Sequence, residues 1–163
     1  YSYGPTTVED FRYWRAALAE PARRWWQLLE HELAAVDVKG TTQYVFAQDI
    51  EALTAPMGDS EWPLHMLYRF DPILLGHREK SWIVPSVYYK HVWRPAGHIE
   101  GIVLVRGQAA ATWRYERKGA AMVIFVNPFR KFNKPIRKQV EQAAMRIVEF
   151  FGLKKGEVRW PIA

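Results

Sequence analysis

The chain has 163 residues, with 23 Lys and Arg against 17 Asp and Glu, which gives a formal net charge of +6. Its 49% of hydrophobic and 25% of charged residues are typical of globular proteins and exclude a disordered chain. Because cysteine is absent, disulfides, thiolate zinc sites and a cysteine nucleophile are excluded. No apolar run reaches the ~18 residues of a membrane span and no secretion leader is visible, so we expect a cytoplasmic protein.

The charge is unevenly distributed along the chain. Residues 1–53 hold five basic and eight acidic residues, whereas residues 54–163 hold eighteen basic and nine acidic ones. A basic surface favours a polyanionic partner, although a merely solvated surface is the alternative. The chain begins with Tyr1 rather than Met, so we expect a fragment of a longer protein.

The N-terminal pattern predicts two helices. Thr6 or Thr7 can cap a helix over residues 5–18, and Pro21 fits the first turn of a second helix. The spacing of large apolar residues predicts which side of the second helix faces inward. This inner stripe is predicted to consist of Trp25, Leu28, Leu29 and Leu33.

A β-ribbon that turns at Lys39–Gly40 is predicted after the two helices. Helix, helix and ribbon in this order predict a partial winged helix-turn-helix over residues 1–53, which lacks its first helix. In such a unit the second helix and the wing tip contact DNA. The candidate DNA-binding residues of this unit are Arg23, Arg24, Gln27 and Lys39.

The rest of the chain predicts a second domain after a linker over residues 54–63, which is rich in Pro and Gly. Within residues 64–163, alternating and apolar runs predict strands, three of them consecutive and antiparallel. We expect these strands to form a meander that either curls into a small antiparallel β-barrel or covers one helix. Asn133 and Gly152 bound a predicted C-terminal helix with a strong apolar stripe, whereas residues 81–93 give no clear pattern. The predicted fold class is therefore α+β.

The chain carries few patterns typical of enzymes. The five histidines are not paired at helical spacing, and there is no phosphate loop or G-x-S-x-G motif, so we expect no metal and no cofactor. Asp71 is flanked by apolar residues, and burial there would make it a candidate acid or base. The alternative, which we favour, is that Asp71 caps the turn that an Asp-Pro pair starts.

Two groups of cations stand out in the second half of the chain. Arg114, Arg117 and Lys118 lie at one end of a predicted hairpin. Five further cations fall within nine residues, interleaved with Phe129 and Phe132. Three of the five crowd the start of the predicted helix, where the dipole disfavours cations, and this indicates a function such as phosphate binding. The alternative is a solvated face. The five cations are Arg130, Lys131, Lys134, Arg137 and Lys138.

Several stretches of the chain, taken in order, resemble one known family. The run GPTTVEDFRYW precedes a helix, and LAAVDVKGTTQYVFAQDIEAL follows it. The chain then continues through YRFDPILLGHREK, WRPAGHIEGIVLVRG and MVIFVNPF to a terminal helix that stops at FFG. This order resembles the last winged-helix unit and the C-terminal β-barrel of the AlkZ-like bacterial winged-helix DNA glycosylases.

The resemblance implies tandem winged helices and a barrel that together form a concave DNA-binding surface. Enzymes of this family excise alkylated or crosslinked bases. Their catalytic motif, Gln-apolar-Gln or Gln-apolar-Asp, lies in an N-terminal part without a counterpart here, and Gln43 and Gln48 do not form it. We therefore expect a C-terminal fragment that binds double-stranded DNA, packs on the missing N-terminal portion and has no catalytic residues of its own.

Two alternatives remain open. One is a winged-helix DNA-binding protein that has no enzymatic activity even at full length. The other is a protein-interaction module whose aromatic surface packs on the missing N-terminal half. Neither alternative involves a membrane.

Overall fold

The computed structural model describes residues 4–55, 58 and 62–161, which fall into two compact units. The first unit comprises residues 4–55 together with Pro72–Lys80. The second unit comprises the remaining described residues. Each unit has its own sheet.

The first unit consists of short helices around a two-stranded antiparallel ribbon. Short 3₁₀ segments at Glu30–Glu32, Ala47–Asp49 and Pro72–Leu74 complete it. Its regular elements are α1 (Val8–Arg15), α2 (Ala19–Leu29), β1 (Leu33–Val38), β2 (Thr41–Phe46) and α3 (Ile50–Thr54).

The first helix begins at a capping box. The hydroxyl of Thr7 accepts a hydrogen bond from the backbone N–H of Asp10 at 3.1 Å. The carboxylate of Asp10 in turn accepts from the backbone N–H of Thr7 at 3.1 Å. These reciprocal bonds satisfy N–H groups that a helix start leaves without partners. The prediction that Thr7 caps α1 is therefore confirmed.

Asp10 also holds a distant segment in place. It is 9% exposed, and its second carboxylate oxygen accepts a hydrogen bond from the backbone N–H of Arg78 at 2.9 Å. Pro72–Lys80 is the stretch that joins the first unit from further along the chain. One carboxylate therefore links the start of α1 to this segment.

We expect Asp10→Ala to destabilise the first unit by about 2–3 kcal/mol, because it removes several charge-assisted hydrogen bonds at a buried position. Urea unfolding measures the change. Glu9→Ala, an exposed acid in the same helical turn, is the control and is expected to cost under about 0.5 kcal/mol. Equal destabilisation by the two variants would contradict the role of Asp10.

The inner side of α2 differs from the predicted stripe. Ala22 is 1% exposed, whereas Leu28 is 71% exposed, and Trp25 and Leu29 are exposed as well. Trp26 packs edge-on against Tyr44 of the ribbon, with ring centroids 5.6 Å apart. The predicted stripe was therefore wrong: Trp26 packs on the ribbon, Ala22 is the buried residue of the helix, and Leu33 belongs to β1.

The second unit is built on a sheet with the strand order β3-β4-β5-β6-β7. Short helical segments at Ser86–Tyr88 and Pro95–Gly97 flank α4. Its regular elements are β3 (His65–Leu67), α4 (Tyr89–Val92), β4 (Gly101–Val105), β5 (Gln108–Lys118), β6 (Ala121–Pro128), α5 (Lys134–Phe150) and β7 (Lys155–Arg159).

The sheet is open, so the predicted barrel was wrong. The meander of β4, β5 and β6 is antiparallel as expected. The last strand, however, pairs parallel with β6 after the crossover through α5. A parallel neighbour needs such a crossover, and it places β7 at the edge of the sheet rather than against β3.

The hydrophobic core of this unit lies between one face of the sheet and α5. Val140, Ala144 and Val148 of the helix cluster with strand residues such as Ile124 and Trp113. The helix has the cap and the apolar stripe that its sequence predicts: the side chain of Asn133 accepts from the N–H of Ile136 at 2.9 Å. None of the described helices combines the length and apolarity needed to cross a bilayer.

The contact between α5 and β7 requires a glycine. A Cβ added to Gly156 would lie 2.5 Å from Cγ2 of Val148. Real Cβ atoms essentially never approach so closely, so any side chain here would push the helix from the strand.

Candidate nucleic-acid interface

Four of the predicted DNA-binding residues lie in the first unit. Arg23, Arg24 and Gln27 are exposed on α2. Arg24 forms a surface ion pair with Glu20 at 3.5 Å, one helical turn earlier. Lys39 is exposed at the tip of the ribbon, where the carboxylate of Asp37 accepts from the N–H of Gly40 at 3.1 Å and closes the turn. The turn prediction at Lys39–Gly40 is confirmed.

The other eight residues lie in the second unit. Arg117 and Lys118 are at the turn between β5 and β6, whereas Arg114, which was predicted at the same hairpin end, lies within β5 opposite Phe125. Arg117 and Lys118 are exposed at this turn, and Arg117 donates a hydrogen bond to the carbonyl of Gly119 at 3.2 Å. Nearby on β7, a hydrogen bond and ion pair with Arg159, together with the charge of Lys118, lower the pKa of the Glu157 carboxyl. The hairpin end is thus of mixed charge.

The second group lies where the chain enters α5. Arg130 and Lys131 precede the helix, Lys134 and Arg137 lie in its first turn, and Lys138 follows, all exposed. The first turn of the helix contains no acidic residue. None of the five forms an ion pair with another described residue. We call Arg130, Lys131, Lys134, Arg137 and Lys138 the helix-entry cluster.

Aromatic rings fix two members of the helix-entry cluster. Arg137 stacks on Trp160, with its guanidinium carbon 4.5 Å from the ring centroid. Arg130 donates a hydrogen bond to the Tyr88 hydroxyl at 3.2 Å. Tyr88 in turn stacks on Phe129, with the two ring centroids 4.2 Å apart. These contacts reduce the side-chain freedom that binding would otherwise remove.

The two groups lie at opposite ends of β6. That strand runs from Ala121, which pairs with Lys118, to Pro128, which leads toward Arg130. Eight residues of extended strand span about 24 Å. Arg114 lies between the two groups on β5, opposite Phe125, with its guanidinium carbon 5.3 Å from that ring's centroid.

Around Arg114 the structure gathers polar residues that were not among the sequence candidates. They line a cavity of about 250 Å³ on the sheet, together with Glu100 and Trp113. In the sequence, Asn127 is marked by one local signal: it is a polar residue at the end of the otherwise apolar strand β6. No three metal-ligating side chains converge anywhere in the described part of the chain. The additional residues are His91, Arg94, Thr112 and Asn127.

A pair of tyrosines lies beside this cavity. A hydrogen bond with Tyr68, followed by partial burial, raises the pKa of the Tyr115 hydroxyl above its ordinary value of 10.0, and Arg69 and Arg117 oppose the shift. The raised pKa means that folding favours the neutral phenol. Its contribution to stability is present in full below pH 10 and is lost as the pH rises through the folded pKa.

We expect Tyr68→Phe to bring the pKa of Tyr115 down toward its ordinary value, because the largest cause of the shift is then removed. An NMR titration of the tyrosine Cζ shift measures this pKa. Tyr88→Phe, outside the pair, is the control and should leave the titration of Tyr115 unchanged. A titration of Tyr115 that is identical in the Tyr68 variant would refute the coupling.

Comparison with known proteins assigns the chain to a family. Residues 1–150 match the family model described as DNA glycosylase AlkZ-like. The chain belongs to this family. An interstrand DNA cross-link repair glycosylase of Streptomyces sahachiroi is 29% identical over 164 residues, which cover 97% of this chain and 42% of that protein.

The fold of this AlkZ-like chain is also found in a solved structure. The DNA glycosylase AlkZ of Streptomyces sahachiroi superposes with a TM-score of 0.78 at 27% identity. The match covers 98% of this chain and 43% of the solved one. The chain thus spans well under half of the length of both relatives.

Proposed function

We propose that this chain is a DNA-binding part of an AlkZ-like DNA repair protein and that it does not excise bases by itself. Two findings support the proposal: membership of a DNA glycosylase family, and the eight exposed cations of the second unit. In this proposal α1, α2 and the ribbon form a partial winged helix, with α2 and Lys39 facing the duplex. A cytoplasmic location remains a prediction.

The helix-entry cluster is the observation that carries the proposal. Its cations have no acidic partner among the described residues, and they lie at a helix start, where the dipole disfavours positive charge. A phosphate placed there would be attracted by the cations themselves, because the N–H groups of Ile136 and Arg137 already donate to Asn133. The cluster therefore costs stability in the free protein and gains favourable contacts in a DNA complex.

A salt titration tests whether the chain binds DNA. Affinity for a short duplex, measured by fluorescence anisotropy, should fall linearly with the logarithm of the salt concentration, with a slope of about −0.9 for each phosphate neutralised. Binding that is immeasurable at low salt, or that is independent of salt, would disprove the proposal.

A base-release assay tests the absence of catalysis. Duplexes that contain an alkylated base are incubated with the chain, and abasic sites are quantified after alkaline cleavage. The proposal requires a rate equal to that of the buffer control. Release above that rate would show that this part of the family carries its own chemistry.

A second candidate function is a protein-interaction surface on the first unit. A cavity of about 580 Å³ opens there between the helices and the ribbon, lined by Phe11, Trp14, Trp26 and Tyr44 among others. Leu18 and Leu28 are exposed on the same unit. Since the relatives are more than twice as long as the match, the partner in this candidate is the N-terminal portion of the same protein. If the unchanged chain shows no salt-dependent DNA binding in the titration, this candidate is favoured.

A further inference from the structure

The cavity beside Arg114 lies on the face of the sheet opposite α5. Trp113, Ile124 and Val126 point into the core with the helix. Strand side chains alternate between faces, so Arg114 and Asn127 point the other way. The pairing of Thr112 with Asn127 and of Arg114 with Phe125 places these side chains next to one another on that outer face.

The segment before β4 supplies the other wall. Val92 of α4 is fully buried, and its carbonyl accepts from the N–H of Glu100 at 2.9 Å. The backbone N–H of Arg94 donates to the carbonyl of His98 at 2.8 Å. These bonds close the segment into a compact loop, and His91 and Arg94 of this loop line the cavity.

The balance of charge in the cavity is positive. Neither guanidinium, that of Arg94 or that of Arg114, forms a hydrogen bond or an ion pair with another described residue. Glu100 is the one acid in the lining, and it pairs with His98 at 3.6 Å. The remaining polar groups are a hydroxyl, an amide and an imidazole, each of which can donate a hydrogen bond to an anion.

We propose that this cavity binds one tetrahedral oxyanion and that, in the DNA complex, the anion is a single phosphodiester of the backbone. At about 250 Å³ the cavity is smaller than the ~300–1,000 Å³ of sites for drug-sized ligands, so it suits one small group. Two guanidinium groups with free donors are the side chains that match a phosphate best. The DNA part of this proposal rests on the proposed function, whereas the oxyanion part does not.

The first experiment uses inorganic phosphate as the probe. Phosphate is titrated against sodium chloride of equal ionic strength, and the side-chain amide signals of Asn127, which lines the cavity, are followed by NMR. A saturable shift is expected in the wild type. It should be lost in the double variant Arg94→Gln, Arg114→Gln, and retained in Arg146→Gln, an exposed arginine on α5. No shift in the wild type would overturn the proposal.

The double variant could lose phosphate binding simply because it does not fold. A second variant is therefore chosen to increase phosphate affinity, which an unfolded protein cannot do. Glu100→Gln removes the one negative charge of the lining, so phosphate affinity should rise about fivefold. Weaker or unchanged affinity would overturn the placement of the anion next to Glu100.

The second experiment separates free phosphate from DNA. Duplexes with one neutral methylphosphonate at successive backbone positions are bound to the wild type and to the double variant. At one position the substitution should weaken the wild type about tenfold and leave the double variant unaffected. If phosphate binds and no such position exists, the cavity holds a free anion and its DNA role is overturned. If phosphate binds but DNA does not, the proposed function fails and the oxyanion site stands.

Discussion

Replacing the five cations of the helix-entry cluster with alanine is expected to weaken duplex binding by about a hundredfold or more at low salt. If each of the five neutralises one phosphate, the slope of log affinity against log salt becomes shallower by about 4.5. Fluorescence anisotropy over a salt series measures both quantities. The expected effect is large because these cations have no intramolecular acid to compete for them among the described residues.

A charge-matched control is available within the same unit. It replaces two arginines and three lysines that are exposed outside the cluster, so that net charge falls equally in both variants. The control should retain most of the affinity, and equal loss in the two would mean that net charge rather than position governs binding. The control residues are Lys90, Arg106, Arg146, Lys154 and Lys155.

A variant with fewer substitutions separates the loss of charge from the loss of contacts with aromatic rings. Arg130 and Arg137 contact aromatic rings, so their loss changes more than charge. Substituting only Lys131, Lys134 and Lys138 leaves those contacts intact and should make the salt slope shallower by about three. An unchanged slope in this variant would move the DNA contact away from the start of α5.

Trp113→Ala is expected to destabilise the second unit by about 3–5 kcal/mol, the largest effect on stability that we predict. The side chain is 3% exposed, and its indole N–H donates a hydrogen bond to the carbonyl of Leu67 on β3 at 2.7 Å. Alanine therefore leaves a cavity in the core and a carbonyl without its donor. Urea unfolding, followed by circular dichroism, measures the change.

Two further variants serve as comparisons for Trp113→Ala, one with an intermediate expected loss of stability and one with almost none. Trp113→Phe keeps most of the apolar volume but loses the donor, so we expect an intermediate cost of about 1–2 kcal/mol. Phe150→Ala removes a ring that is 86% exposed and should cost under about 0.5 kcal/mol. A loss below about 1 kcal/mol for Trp113→Ala would show that Trp113 does not anchor the sheet.

Elements with strong local signals are predictable from the sequence. Thr7, one of the two predicted caps, caps α1, and Asn133 caps α5. The meander follows from period-two alternation between glycine turns. In each case the decisive interaction joins residues close in the chain, so the sequence contains the information needed.

Features that depend on distant pairing are not predictable in this way. Periodicity marks the large residues Trp25 and Leu28 on α2, but Ala22 is the buried residue of the helix and Trp26 packs on the ribbon instead. Likewise, the parallel pairing of β7 with β6 depends on the crossover through α5, which joins strands that are distant in the sequence.

The cavity beside Arg114 is the clearest case within the candidate site. His91 belongs to a stretch without regular pattern, and Asn127 reaches Thr112 only through the β5–β6 register. Exposed cations in a local cluster, by contrast, are visible in the sequence. Sequence reasoning therefore finds candidate phosphate contacts on the surface and misses those assembled by the sheet.

The parallel pairing of β6 with β7 has a consequence for the order in which the protein is made. During synthesis β4, β5 and β6 leave the ribosome as a contiguous meander and can pair at once. The edge of β6 then stays without a partner until the 17 residues of α5 and the five of β7 have followed. In that interval the nascent chain exposes a strand edge and the apolar face that α5 later covers. We expect that chaperone binding to the nascent chain is strongest between those two points.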